Sequence, residues 1–315
     1  MTRVLLTCPP MIGIAEEMRA VFASRGAELV IPDFVQIVPE DELVRLVPEF
    51  DGWIIGDDPA TARVFEAGRA GRLRACVKWG VGVDNVDFEA AHRLDLPITN
   101  TPAAFGAEVA DIAMHYVTGL ARETWGIDRG VRAGEWPKPR GISLATRTAV
   151  LVGMGDIGRQ TARRLVAADI RVLAVDPLLD PAALPEGVAA GVWPDALAIA
   201  DFVVFTCPLN AATHHMLDEA ALNLARPGLR VVNVARGPVI DEAALIRALA
   251  DGRVHSAALD VFEIEPLPAA SPLRDHPRCI FGSHNASNTE DAVRRVSVRA
   301  TDLLFEALRN NKLIP

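Results

Sequence analysis

Arg236, Glu265 and His284 each follow a short apolar run, and their chemistry together suits a small acid with an adjacent hydroxyl or carbonyl. Histidine can give and take a proton near neutral pH. Of the seven histidines, His92 and His115 fall in helix-like stretches, His214 and His215 in a polar connection, His255 at the start of a strand and His276 in a Pro-flanked loop. His284 closes the apolar run Cys279-Ile-Phe-Gly-Ser-His284, although position alone leaves a structural role equally open. A carboxylate bonded to one ring nitrogen stabilises the imidazolium and sets its tautomer. Glu265, in Leu259-Asp-Val-Phe-Glu-Ile-Glu265-Pro266, is the candidate, while a solvated acidic loop is the competing reading. A guanidinium grips a carboxylate in a two-pronged fork and polarises the neighbouring carbonyl. Arg236, in Val232-Asn-Val-Ala-Arg236-Gly237, could do so, although a lone arginine before a turn usually lies at the surface.

Val150-Leu-Val-Gly153-Met-Gly155-Asp156-Ile157-Gly158 follows an apolar strand and opens a predicted helix, Arg159–Ala168. In such a loop the first glycine turns tightly, the second lets the backbone approach a pyrophosphate, and the third lets helix and strand pack closely. The glycine spacing alone is weak evidence. The next strand strengthens it by ending in Asp176, 23 residues after Gly153, where a ribose 2′-hydroxyl is expected. A carboxylate there accepts from a diol and repels a 2′-phosphate, which favours NAD over NADP.

These residues need a scaffold of parallel strands, and the apolar runs supply two series. Arg3–Thr7, Glu28–Ile31, Gly52–Ile55, Cys76–Lys78 and Ile98–Asn100 form the first, interleaved with helical stretches such as Ile14–Arg25, Glu40–Leu46 and Phe88–Leu94. A long helix follows over Ala107–Arg122, then a segment broken by Pro and Gly. The second series is Thr148–Val152, Arg171–Val175, Phe202–Phe205, Arg230–Asn233, Ser256–Leu259 and Cys279–Phe281, and a last helix spans Glu290–Arg309. The pattern predicts an α/β protein of two doubly wound parallel-sheet domains. A nucleotide-binding Rossmann domain (100–284) is inserted into a flavodoxin-like substrate domain (1–99 and 285–315). Ligands of such sheets lie at the strands' carboxyl ends, so a cleft between the two domains is expected.

The 315 residues suffice for two cores, and the net charge of −9, without a basic block, argues against a nucleic-acid partner. No apolar run reaches membrane-spanning length, and the Met1–Cys8 segment reads as a strand rather than a leader. Cys8, Cys76, Cys207 and Cys279 are widely spaced, so reduced buried thiols, a cytoplasmic setting and no metal site are expected.

The phosphate loop, then Val-Ala-Arg-Gly, then Asp-Val-Phe-Glu-x-Glu-Pro, then histidine, in this order, resembles the D-2-hydroxyacid dehydrogenase family. The resemblance extends over nearly the whole chain, including Lys78-Trp-Gly-Val-Gly82-Val-Asp-Asn-Val-Asp87 and Asn100-Thr-Pro102. It implies NAD-dependent hydride transfer at C2 of a small 2-hydroxy or 2-oxo acid. Glu265 and His284 would be the acid–base pair and Arg236 the carboxylate anchor. Val81, Gly82 and Asn100 would be further substrate contacts, and Asp260 would help position the nicotinamide. Cys207, Pro208, Thr213 and Ala235 would line the cofactor site with Gly153, Gly155, Asp156, Ile157, Gly158, Asp176, Arg236 and His284. A homodimer is implied too, with the Trp125–Trp136 region as an arm.

Two segments depart from the family pattern: Ala103-Ala-Phe105-Gly-Ala-Glu108 after the hinge proline, and Asn285-Ala-Ser-Asn-Thr289 after the histidine. Gly56-Asp57-Asp58-Pro59 places two acids where a phosphorylated substrate would want cations. An unphosphorylated acid is therefore expected, its hydroxyls bound by Asp57 or Asp58, with Lys78 either compensating or structural. The alternatives are a D-3-phosphoglycerate dehydrogenase of serine biosynthesis and an NAD(H)-sensing protein like the family's corepressors. A formate dehydrogenase would carry glutamine at the position of Glu265. No regulatory domain is expected after the last helix.

Overall fold

The computed structural model describes residues 1–34 and 36–310; positions 311–315, the end of the expected substrate domain, lie outside the described residues. The chain divides into two compact units, one formed by Met1–Ala104 and the segment from Asn288, the other by Phe105–Ser287. The joins thus fall a few residues later than 99/100 and 284/285.

In the first unit, β1 (Thr2–Leu6), β2 (Ala27–Val30), β3 (Gly52–Ile55), β4 (Ala75–Lys78) and β5 (Ile98–Asn100) form a parallel sheet in the order β2-β1-β3-β4-β5. The central strands β3 and β4 are buried at every position, as strands covered on both faces are. Trp53 and Ile55 meet Leu43, Phe65 and Leu73 on one side. The helix Glu290–Asn310 packs on β3 and β4, burying Val293, Val296, Ala300, Leu304 and Leu308 at helical spacing. Phe305 meets Phe22 at 5.3 Å between ring centres, and Trp79 Nε1 donates to Ser297 Oγ at 3.2 Å.

The second unit holds β6 (Thr148–Val152), β7 (Arg171–Val175), β8 (Val188–Ala190), β9 (Phe202–Phe205), β10 (Leu229–Asn233), β11 (Val254–Leu259) and β12 (Cys279–Phe281). All are parallel, in the order β12-β11-β10-β9-β6-β7-β8. The chain reverses its direction of strand addition between β6 and β9, which opens a crevice at their carboxyl ends. Both sheets are therefore doubly wound, as the alternating pattern predicted. Apolar β-branched strands such as Phe202-Val-Val-Phe205 are buried throughout, each large side chain contributing roughly 1.5–3 kcal/mol. Aspartates start several of the covering helices: Asp218 accepts from Ala221 N at 2.8 Å and Asp241 from Ala244 N at 2.9 Å.

Several elements differ from expectation, among them the helices Ala62–Ala70, Glu219–Leu224 and Glu242–Ala250, which were not named beforehand. The edge strand β8 and the helix Thr124–Arg132 were not expected, and the helix after the phosphate loop starts at Asp156. Among the described residues no helix is long and apolar enough to cross a membrane. All four cysteines are buried and unpaired, and burial pushes the thiols of Cys207 and Cys279 up to about 12.

Candidate active site

β6 runs into Gly153 at φ +94°, where an added Cβ would stand 2.7 Å from Cys207 N. At Gly158 the same atom would come within 2.0 Å of Gly153 O, so helix and turn touch through bare backbone. Gly155 is the reverse case, with nothing within 4 Å of its Cβ position and no side chain capping the helix Asp156–Ala167 behind it. An uncrowded glycine heading a helix N-terminus fits a pyrophosphate. Asp176, just past β7, accepts from Met154 N at 2.7 Å and Leu178 N at 2.8 Å, bracing the loop with the carboxylate expected to meet a ribose diol.

The other expected cofactor contacts flank this loop. The Asp156 side chain turns toward Gly106, where a Cβ would fall 2.3 Å from Oδ2, so a phosphate would meet the residue through its backbone N–H. Ile157 is partly buried beside it. Across the switch point, Thr206 Oγ1 donates to Gly153 O at 2.9 Å, which ties Cys207 and Pro208 to the loop. The Thr213 hydroxyl donates to Pro208 O at 2.7 Å and accepts from Asn210 N at 2.9 Å, closing their turn.

Arg236 follows β10 in a turn held by Asn233, whose Oδ1 accepts from Ala235 N at 3.0 Å and whose Nδ2 donates to Arg236 O at 2.9 Å. Arg236 Nη1 donates back to Ala235 O at 2.9 Å. Next in the chain is Gly237, whose added Cβ would lie 1.8 Å from the Phe262 carbonyl carbon. That clash is with backbone, so glycine alone lets the Arg236 turn lie against the loop carrying Glu265.

Glu265 stands on that loop after β11. Its Oε1 accepts from Phe262 N at 3.0 Å, and its Oε2 meets His284 Nδ1 at 2.8 Å. His284 adopts φ +55°, a left-handed conformation rare for a side chain of this size, and its N–H donates to Asp260 O at 2.7 Å. Asp260 is 3% exposed, and its carboxylate accepts from Asn285 N at 3.2 Å and Ala286 N at 2.9 Å. The Tyr116 hydroxyl reaches the same carboxylate from the helix Gly106–Arg122, and a Cβ on Gly282 would strike both groups. Burial raises the Asp260 pKa, which the two backbone donors oppose. Asp260 thus pins the turn bearing His284. Tyr116 and Asn233 escaped the sequence reading; the one available signal was that Tyr116 is the chain's single tyrosine.

In the first unit, Val81 is exposed, and Asn100 Nδ2 donates to Val81 O at 3.0 Å, holding the backbone that includes Gly82. The expectation for Asp58 is corrected. It is fully buried and accepts from Thr7 Oγ1, Val38 N and Gly56 N, so it holds its own loop rather than a ligand. Lys78 is structural as well: it is 3% exposed and donates to Gly56 O at 2.6 Å and to Asp57 at 3.2 Å.

The chain is similar to known proteins of one family. Residues 114–286 match the family described as D-isomer specific 2-hydroxyacid dehydrogenase, NAD binding domain. A chloroplastic D-3-phosphoglycerate dehydrogenase of Arabidopsis thaliana is 35% identical over 85% of this chain, which spans 46% of that protein's length. A hydroxypyruvate reductase of Thermotoga maritima is 31% identical over 85% of this chain and 88% of its own. The solved TT0316 protein of Thermus thermophilus superposes with a TM-score of 0.84 at 29% identity, covering 98% of this chain and 97% of that one.

Proposed function

This chain belongs to the D-isomer specific 2-hydroxyacid dehydrogenase family, and we propose that it interconverts a small 2-oxo acid and its 2-hydroxy acid with NAD. The observation that carries this reading is the 2.8 Å contact of His284 Nδ1 with Glu265 Oε2, on a loop packed against the Arg236 turn. When bound, the cofactor would supply the redox chemistry, NADH giving a hydride to the substrate's C2 and NAD+ accepting one from it. His284, with Nδ1 held by Glu265, exchanges the substrate oxygen's proton at Nε2, giving it during reduction and taking it during oxidation. Glu265 steadies the charged ring and its tautomer. Arg236 grips the carboxylate and draws electron density from the carbonyl. Backbone donors at Val81 and Gly82 and the Asn100 amide are further proposed substrate contacts.

Gly153, Gly155, Asp156, Ile157 and Gly158 would hold the pyrophosphate through backbone N–H groups, with Asp176 on the ribose diol. Cys207, Pro208, Thr213 and Ala235 would flank the dinucleotide, and Asp260 would steady the nicotinamide end. A homodimer in the cytoplasm completes the reading, supported by Trp125 and Trp136, which are 40% and 77% exposed.

Similarity to phosphoglycerate dehydrogenases favours a phosphorylated acid as the second reading. Against it, the Lys78 ammonium is already engaged by Gly56 O and Asp57. An unphosphorylated acid is the better fit. Rates with NADH on glyoxylate and hydroxypyruvate, against 3-phosphoglycerate with NAD, test the choice; activity on the phosphorylated acid alone reverses it. His284→Ala should cut turnover by about 10²–10⁴ while NADH still binds, and unchanged turnover would remove the central claim.

A further inference from the structure

At the amino ends of the seven-stranded sheet, away from the phosphate loop and Arg236, lies a cavity of about 220 Å³ lined in part by Arg147, Asp201, Arg226, Arg230 and His255. Strand starts converge there: Arg147 precedes β6, Asp201 precedes β9, and Arg230 and His255 are the second residues of β10 and β11. The space far exceeds the ~10–15 Å³ that admits one water.

Its charges do not balance. Asp201 Oδ1 takes Arg226 Nη1 at 3.0 Å and Arg147 Nη1 at 3.4 Å, while Oδ2 takes Thr148 N at 3.0 Å. One carboxylate is therefore shared by two guanidinium groups and a backbone donor. The third guanidinium, that of Arg230, belongs to a residue only 8% exposed, and among the described residues it has no carboxylate within 4.0 Å. Its partners are the carbonyl oxygens of Leu120 at 3.4 Å and Gly228 at 3.3 Å, both long, and the Phe202 ring at 5.8 Å. A buried guanidinium so weakly compensated is costly. His255 registers the same positive field: burial, then Arg230 and Arg278, push it down to about 4, so its ring is neutral at pH 7. In a chain of net charge −9 the lining thus keeps three arginines with one acid, while Glu123 and Arg278, of opposite charge, act on Arg230 from farther off.

We propose that this cavity binds a compact anion of the phosphate or diphosphate class, carrying at least two negative charges. Arg230 forms the floor, and Arg147 and Arg226, whose side chains are 31% and 50% exposed, close on the ligand from the rim. Planar guanidinium forks suit phosphate oxygens, and two net positive charges would be matched by a dianion. Because the site sits at the opposite strand ends from the phosphate loop, the anion should bind alongside the dinucleotide.

Inorganic pyrophosphate, titrated calorimetrically into the full chain with NADH saturating, is the probe. One site per chain is expected, weakening with added salt. Arg226→Glu should reduce its affinity about tenfold or more and leave NADH affinity unchanged. Arg230 is too deeply packed to be the first variant, so Arg147→Gln serves as the second and should weaken binding in the same direction. No pyrophosphate binding, or equal binding to both variants and the parent, overturns the proposal. So does a change of oligomeric state in Arg226→Glu without any pyrophosphate binding, which would mean that a second copy of the chain fills the cavity.

Discussion

After β3, in the first unit, Asp58 is wholly buried and three donors converge on its carboxylate, while Lys78 beside it is tied to a carbonyl and to Asp57. After β11 and β12, in the second unit, Glu265 and His284 keep 29% and 26% of their side chains exposed and share one 2.8 Å contact. Both regions are charged strand ends, the place where doubly wound sheets expose chemistry. Their energetics run in opposite directions. Burial raises the Asp58 pKa, and the bonds from Thr7, Val38 and Gly56 offset part of that cost, so the group stabilises its loop by being saturated. The Glu265–His284 pair is reachable by solvent and each partner sets the other's orientation, which is what proton exchange with a ligand requires. Charge at a strand end is therefore a poor guide to function until burial and bonding are known.

Three substitutions probe that contrast. Asp58→Ala orphans the Val38 and Gly56 N–H groups and leaves the Thr7 hydroxyl only its long bond to Ile54 O. It should cost about 3 kcal/mol of unfolding free energy, measured by urea titration; a loss below about 1 kcal/mol would remove the contrast with Glu265 and His284. Glu265→Gln should do the reverse, lowering kcat about 10- to 100-fold while stability stays within about 1 kcal/mol. A stability loss as large as that of Asp58→Ala, with turnover intact, would erase the distinction. Tyr116→Phe is intermediate, since it removes one donor from the carboxylate that pins the His284 turn. About 1 kcal/mol of stability and a modest fall in kcat are expected, with substrate KM little altered; no change in either would separate Tyr116 from the site.

Legibility in the sequence followed the same line. The buried parallel strands announced themselves as apolar runs, and the helix Glu290–Asn310 by its spaced Val, Leu and Phe residues. The strand Val188–Ala190 did not, because it is three small residues paired on one edge only, two of them exposed. The helix Thr124–Arg132 was hidden by Gly126 and Gly130, which lower helix propensity.

For the site, local sequence determined what backbone sterics and strand ends dictate: the glycines of the phosphate loop, the acid after β7, and the candidate residues that follow β10, β11 and β12. Tertiary structure decided the rest. That Glu265 meets His284 across 19 positions, that Gly237 must be bare because the Phe262 backbone lies against it, and that Tyr116 reaches Asp260 from a distant helix all depend on which strands become neighbours. The fate of Asp58 and Lys78 was equally invisible beforehand, since a charged residue reads alike whether solvent or a ring of backbone groups surrounds it. Desolvation and hydrogen bonding are properties of the assembled core, and no short stretch of sequence contains them.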